Sequence, residues 1–156
     1  MNPFVLALVA SAASAAYDLN DVKLGASEAD IRQQFPNAHC RPLEWPSRAA
    51  DRRCDDSRMS LAGADASVTF YLKRDAVEGF DVRFDQRELA TVLKFLQSRY
   101  GKPLAEPPAP LMPAAPVSVE WKASGERARL TSEHGRRRAS LLVWRGAFEE
   151  EIYKVR

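Results

Sequence analysis

The sequence has little of what active sites are usually built from. It contains two cysteines, Cys40 and Cys54, and two histidines, His39 and His134. It has no Gly-x-Ser-x-Gly nucleophile elbow, no phosphate-binding P-loop and no dinucleotide fingerprint. Neither histidine lies in a recognisable nucleophile context. We therefore expect a protein that is not an enzyme and that needs no cofactor.

Lysine is scarce too, and arginine supplies most of the positive charge. The formal net charge is +2, and acidic and basic residues alternate closely along most of the chain. Nucleic-acid-binding proteins normally present a basic face or stripe. Here the longest basic run is Arg136, Arg137 and Arg138, which we interpret as a solvated turn. We expect no nucleic-acid partner.

A long apolar run is found only at the N-terminus. Residues 1–16, MNPFVLALVASAASAA, carry no charge and end in small residues, which is typical of a secretory signal peptide cut before Ala16 or Tyr17. A membrane-spanning helix needs about 20 apolar residues, and Asp18 and Asp21 follow too early for one. No cysteine near the cut offers a lipid attachment site. We expect a soluble exported protein, periplasmic or secreted, with no membrane span.

The remaining chain, residues 17–156, fits one domain. It is long enough to bury a core, and the 46% hydrophobic and 28% charged composition is that of a folded protein. Ser27 with Asp30 predicts a capped helix ended by Pro36, and Asp85 with Glu88 predicts a second helix ended by Gly101.

Alternating apolar and polar residues predict the strands. These segments are 66–73, 80–84, 117–121, 127–131 and the apolar run 140–144. There is no β-α-β alternation. The pattern therefore predicts an α+β fold, with an antiparallel sheet of about five to six strands and two helices packed on one face.

A proline-rich connector spans residues 102–116 within this domain. Pro107, Pro110, Pro113 and Pro116 recur every third residue, which in polyproline II places them on one ridge. We interpret it as a stiff spacer lying along the domain. A ligand for an aromatic groove is the alternative.

The segment CRPLEWPSRAADRRC, from Cys40 to Cys54, holds both cysteines. Zinc sites and catalytic dithiols normally need close pairs such as Cys-x₂-Cys, which this spacing does not provide. An exported chain with two cysteines more often carries one structural disulfide. We expect a Cys40–Cys54 disulfide and no metal.

The same segment is our candidate for a partner-binding surface. The candidate residues are Trp45, Arg41, Arg48, Arg52 and Arg53. Tryptophan and arginine are enriched at binding hot spots, and a closed loop loses less entropy on binding. Two alternatives stay open: Trp45 folds back onto the domain, and the arginines pair with Asp51, Asp55 and Asp56.

One stretch resembles a known type of envelope protein. KLGASEADIRQQFP is similar to the Leu-x-x-Gly-Met-Ser/Thr opening of the small barrel-assembly lipoprotein and the β-lactamase-inhibitory proteins, with Ala26 in place of Met and with Ile31 and Phe35 at the apolar positions. SRYGKP, residues 98–103, with Trp121 downstream, resembles uncharacterised exported proteobacterial proteins. The resemblance implies a non-enzymatic protein that binds other proteins through a sheet or loop surface.

We therefore expect a soluble exported, periplasmic binding or adaptor module for another envelope protein. The alternatives are a small hydrolase with no recognisable motif and a small-ligand carrier, the latter indicated by Tyr71 on the polar side of its strand. A binding module should expose Trp45. A hydrolase should gather polar groups, including His39 or His134, in a concave pocket. A carrier should have a cavity between sheet and helices. The sequence predicts neither the partner's identity nor an oligomeric state.

Overall fold

The computed structural model describes residues 17–108, 111, 116–133 and 135–154. The predicted signal peptide, Pro110, Pro113 and His134 lie outside the described residues. The strands are β1 (Asp18–Leu19), β2 (Val22–Lys23), β3 (His39–Pro42), β4 (Arg52–Leu61), β5 (Ala64–Lys73), β6 (Ala76–Asp85), β7 (Val117–Ala123), β8 (Glu126–Ser132) and β9 (Arg138–Arg145). The helices are α1 (Glu28–Gln34), α2 (Leu89–Tyr100) and α3 (Phe148–Glu151).

The predicted architecture of five to six strands with two packed helices is wrong. The described chain is mostly sheet: one seven-stranded antiparallel sheet, a two-stranded β1–β2 pair and three short helices. The prediction missed β1 to β4. Two of these strands have only two residues each, β3 is short, and β4 is too rich in charged residues to show the alternation expected of a half-buried strand.

The main sheet consists of two meanders joined at their last strands. Its order is β3-β4-β5-β6-β9-β8-β7, and every pairing is antiparallel. The apolar strand β9 pairs with β6 on one side and β8 on the other. Among the described strands, β3 and β7 are the edges of this sheet, so the C-terminal meander extends the sheet that the first one begins.

Tight turns with a left-handed backbone connect the hairpins. Arg74 and Asp75, between β5 and β6, have φ of 49° and 61°. Ser124 and Gly125, between β7 and β8, have φ of 53° and 78°. Two consecutive positive φ values match the twist of the flanking strands and allow a two-residue connection. These local turns set the register of both meanders.

Local capping chemistry starts α1 and the 3-10 turn Gln86–Glu88 that leads into α2. Ser27 and Asp30 form a reciprocal capping box at α1, and Asp85 accepts a hydrogen bond from the backbone N–H of Arg87 before α2. α2 ends where Gly101 adopts a φ of 84°. The Ser27 start of α1 and the Gly101 end of α2 are where the sequence predicts them, whereas Asp85 caps the 3-10 turn and α2 itself begins at Leu89 without a side-chain cap.

One face of the sheet carries the main core. Ile31 and Phe35 from the α1 segment and Val92 and Leu96 from α2 pack with the sheet residues. The inward side chains of the sheet include Phe70, Phe80, Phe84, Leu130, Leu141 and Trp121, all at most 1% exposed. This face therefore supplies most of the hydrophobic stabilisation.

A smaller cluster covers part of the opposite face, which we call the outer face. It consists of Ala49, Ala50, Tyr71, Trp144, Phe148 and Ile152. Gly79 lies under this cluster, and a Cβ there would come within 2.5 Å of the Phe148 ring. A glycine is needed at this position because any side chain would displace Phe148. The segment after β9 is thus held against the sheet rather than left as a tail.

Tyr17, the first residue that the structure describes, is packed into the domain. Tyr17 is 2% exposed, its ring lies 4.7 Å from that of Tyr100, and its backbone N–H donates to the buried Glu126 carboxylate at 3.4 Å. Beyond the C-terminal end of α2, the described part of the connector runs beside β7: Leu104 N donates to Glu120 O at 2.8 Å. None of the described helices combines the length and apolarity needed to span a bilayer.

Candidate functional site

The two cysteines are bonded, as predicted. Cys40 on β3 and Cys54 on β4 are directly paired across the strands, with Cα atoms 4.0 Å apart. A Glu28 oxygen and both sulfurs lie within 4.8 Å of one another. Because both sulfurs are in the disulfide, they offer no thiolate for a metal. The disulfide links β3 to β4, and residues 43–51 form the loop that connects these two strands.

Hydrogen bonds hold this loop at its base and its far side. Leu43 N donates to Asp51 O at 2.9 Å, and Asp51 N donates to Leu72 O at 2.8 Å. Ser47 Oγ donates to Glu151 O at 3.2 Å. The loop is therefore fixed between the sheet and the α3 segment.

Trp45 folds back onto the outer face but is not fully covered. It is half-buried, packs against the outer cluster and donates from Nε1 to Ile152 O at 2.7 Å. The sequence left open whether this side chain faces the domain or a partner. The structure places one side of the ring on the domain, and that hydrogen bond fixes its orientation.

Tyr153 is the exposed neighbour of Trp45, and the sequence analysis missed it. Its ring stacks on Trp45 with the centroids 6.3 Å apart and 20° between the planes, and its side chain is 67% exposed. Next to it, burial raises the pKa of the Tyr71 phenol, and nearby Tyr153 raises it further. The spacing of Phe148 and Ile152, four residues apart, is the signal that could have placed this segment on the domain.

Two of the predicted arginines border this aromatic pair, and both form ion pairs. Arg53 makes a bidentate contact with Asp55, at 3.0 and 2.8 Å, and lies 3.4 Å from Glu44. Arg41 lies 2.9 Å from Glu44 and 3.8 Å from Asp55. Arg53 also lies over the Tyr71 ring, 5.9 Å from its centroid. The positive charges of Arg41 and Arg53 are therefore balanced by carboxylates of the same domain.

The other two predicted arginines lie elsewhere. Arg52 alternates with Arg53 along β4, so it points to the opposite face, where it binds Glu28 of α1 at 2.9 Å. Arg48 is exposed and lines a cleft of about 210 Å³ with Lys73, Glu78 and Arg145. The structure therefore joins Arg41 and Arg53 through Glu44, the residue before Trp45, whereas Arg48 lines a separate cleft and Arg52 points to the opposite face.

Two carboxylates in one cross-strand row of the outer face have opposite pKa shifts. Thr69 lies between them, opposite Asp55 on β4 and Asp81 on β6. Burial raises the pKa of Asp55, but hydrogen bonds from Arg53 and Thr69 outweigh it and hold that pKa below its usual value. Burial raises the pKa of Asp81, which has only Arg83 to oppose the effect. The deeper burial of Asp81 and the smaller number of hydrogen bonds and positive charges around it account for the difference.

His39, the described histidine, is exposed on the short edge strand β3, opposite Asp55.

Comparison with known proteins identifies no family for this chain. No family model, curated protein or solved structure matches the chain.

Proposed function

We propose that this protein is an exported, non-enzymatic binding module, and that it contacts another envelope protein through the outer face around Trp45 and Tyr153. We call this surface the aromatic patch; it consists of Leu43, Trp45 and Tyr153, bordered by Arg41 and Glu44. The observation that carries the proposal is the 67% exposed Tyr153 ring stacked on a hydrogen-bonded Trp45.

The composition of the patch supports protein binding. Tyrosine, tryptophan and arginine are the residue types most enriched at interface hot spots, because they bury a large area and can also form polar contacts. Here a half-buried tryptophan supports an exposed tyrosine, and an exposed Arg41–Glu44 ion pair lies at the border. Such a polar border around an aromatic centre is the usual anatomy of an interface.

The rigidity of the patch also supports the proposal. The Cys40–Cys54 disulfide closes one side of the loop, and Trp45 and Ser47 bond to the backbone of Ile152 and Glu151 on the other. A surface that is already ordered loses little conformational entropy when a partner binds. The patch can therefore bind without first being remodelled.

Two features support an extracytoplasmic location. Disulfides persist in oxidising compartments such as the periplasm and are rare in the cytosol, and this protein has one. Tyr17, the residue that would follow a cut after Ala16, is buried among the described residues. The sequence resemblance to exported binding proteins agrees with this location.

Site-specific photo-crosslinking in intact cells tests the proposal. A photoreactive phenylalanine analogue at position 153 should give a discrete adduct with one envelope protein. The same analogue at Leu104, the matched control, should not, because Leu104 is 62% exposed but lies on the connector beside β7. The partner identified in this way can then be purified for binding measurements.

Binding of that partner should depend on the aromatic side chain. Tyr153→Ala should weaken the affinity at least tenfold, whereas Tyr153→Phe and Leu104→Ala should change it less than about threefold, since truncating a hot spot costs about 1.4 kcal/mol or more. Equal adducts from positions 153 and 104, or equal affinity of Tyr153→Ala and the native protein, would show that the patch is not the binding surface.

A further inference from the structure

A second cleft lies on the outer face, apart from the aromatic patch. It has a volume of about 480 Å³ and is formed where β6, β8 and β9 meet the turn before β9. Its lining residues are Arg83, Thr131, Glu133, Arg136, Arg137, Arg138, Ala139 and Ser140. Four of these eight residues are arginines and one is acidic.

The cleft is built by strand pairing as well as by the basic run in the sequence. Arg83 on β6 pairs with Ser140 on β9, and Ser140 pairs with Thr131 on β8. This cross-strand row places an arginine and two hydroxyl residues beside the Arg136–Arg138 segment. The run that we interpreted as a solvated turn therefore forms one wall of a cleft.

The cationic groups of the cleft are only partly neutralised. Arg83 pairs with Asp81 at 3.1 Å, and Arg136 pairs with Glu133 at 3.3 Å. Among the residues that the structure describes, neither Arg137 nor Arg138 forms an ion pair, and both are exposed. The cleft thus has two guanidinium groups that form no ion pair with a described carboxylate, although Asp85 lies opposite Arg138 in the β6–β9 pairing.

The nearest acidic competitor is already occupied. Hydrogen bonds from Arg87 lower the pKa of Asp85 to about 2, and Arg137 adds only a weaker electrostatic contribution. Arg87 contacts both Asp85 oxygens, at 3.1 and 2.8 Å. The guanidinium group of Arg137 therefore stays available to an external anion.

The cleft also offers hydroxyl donors. Thr131 Oγ1 and Ser140 Oγ lie 3.0 Å apart and are half-buried. In this pair only one hydroxyl donates to the other, so the accepting hydroxyl keeps its own O–H for a ligand oxygen. Guanidinium groups together with a hydroxyl donor are the usual ligands of a phosphate group in proteins.

We propose that this cleft binds a phosphate group, carried by a small phosphorylated molecule or by an anionic lipid headgroup. A phosphate has more charge and more acceptor oxygens than a carboxylate, so it can engage Arg137, Arg138 and a hydroxyl at once. The arginines are gathered in one cleft and do not follow a stripe across the domain. This arrangement fits a single phosphate group better than a nucleic-acid backbone.

Titration calorimetry on the full chain tests the site with inorganic pyrophosphate as the probe. The native protein should bind it, with an affinity that falls as salt concentration rises. The double variant Arg137→Gln/Arg138→Gln should bind at least tenfold more weakly. Arg127→Gln is the matched control, because Arg127 is also an exposed arginine that forms no ion pair among the described residues, but it lies outside the cleft. The control should bind within twofold of the native protein.

Vesicle sedimentation distinguishes the two sources of phosphate. Vesicles of phosphatidylcholine with a fifth of phosphatidylglycerol, compared with pure phosphatidylcholine, should sediment the native protein but not the double variant if the ligand is a headgroup. Binding of pyrophosphate without sedimentation identifies a small phosphorylated ligand. The proposal is overturned if the native protein binds neither probe, or if the double variant binds both as well as the native protein does. These outcomes do not depend on the aromatic patch.

Discussion

The two arginine-rich regions of the outer face look alike in the sequence but differ in their charge balance. Beside the aromatic patch, Arg41 and Arg53 are held by Glu44 and Asp55. In the 480 Å³ cleft beside β9, which we call the basic cleft, Arg137 and Arg138 form no ion pair with any described residue. An arginine that already has a carboxylate partner helps to order the surface, and one without a partner is available to a ligand. Composition alone therefore does not locate an anion site.

This contrast separates two kinds of contribution to binding. The aromatic patch has fixed, charge-balanced edges and an exposed aromatic centre, which suits a protein partner. The basic cleft has excess positive charge, which suits an anion. We expect arginine substitutions beside the aromatic patch to change stability and arginine substitutions in the basic cleft to change ligand binding.

Loss of the disulfide should have the largest effect on the first region. The double variant Cys40→Ala/Cys54→Ala should have a free energy of unfolding lower by about 3 kcal/mol, because the bridge closes a loop of about 15 residues in the unfolded chain. Urea unfolding measures it. The native protein in reductant should match the double variant, which should itself be insensitive to reductant. An unchanged urea midpoint would contradict the expected role.

Substituting one arginine from each region tests directly whether the two regions differ in ion pairing. Arg53→Gln should lower the free energy of unfolding by about 1.5–3 kcal/mol, because it removes a bidentate charged hydrogen bond from the partly buried Asp55. Arg138→Gln should change it by less than about 0.5 kcal/mol, since it has no ion pair to lose. Urea unfolding of both variants measures the two changes in the free energy of unfolding. Equal losses would mean that ion pairing does not distinguish the regions.

The smallest expected effect is on the pH dependence of stability. The folded-state pKa of Asp55 is lowered, so its stabilising contribution is present above the unfolded value of about 3.9 and lost as pH falls through the folded value. The folded-state pKa of Asp81 is raised, so its contribution is present below about 3.9 and lost as pH rises through the folded value.

The variants Asp55→Asn and Asp81→Asn form a matched pair for this prediction. As the pH rises from 3 to 7, the stability of Asp55→Asn should fall relative to that of the native protein. Over the same rise in pH, the stability of Asp81→Asn should increase relative to that of the native protein. Urea unfolding at pH 3, 5 and 7 measures both. The same trend in the two variants would contradict the opposite pKa shifts.

The elements that could be predicted are those that local chemistry encodes. The capping box of Ser27 with Asp30 and the Gly101 end of α2 involve residues a few positions apart. Strand β4 could not be predicted in this way. Its inward side chains include Asp56, and its register shifts between Asp56 and Met59, so the alternation is broken within the strand.

The candidate sites divide in the same manner. Trp45 and the disulfide are visible in one continuous segment, and the disulfide prediction is confirmed. Tyr153 and the basic cleft were missed because each depends on distant segments. Trp45 and Tyr153 are brought together across the outer face, and Arg83 reaches Arg138 only through the pairing of β6 with β9.

By itself, the sequence determined the capped start of α1, the glycine end of α2 and the cysteine pair, because these depend on neighbours in the chain or on the presence of only two cysteines. Tertiary structure alone decided the seven-strand order, the half-buried position of Trp45 and which arginines form an ion pair with a carboxylate. These depend on contacts between residues far apart in the sequence, and such contacts exist only after the meanders have paired. Arg53 and Arg138 are the same residue type, and only the folded chain makes one a structural ion pair and the other an available ligand group.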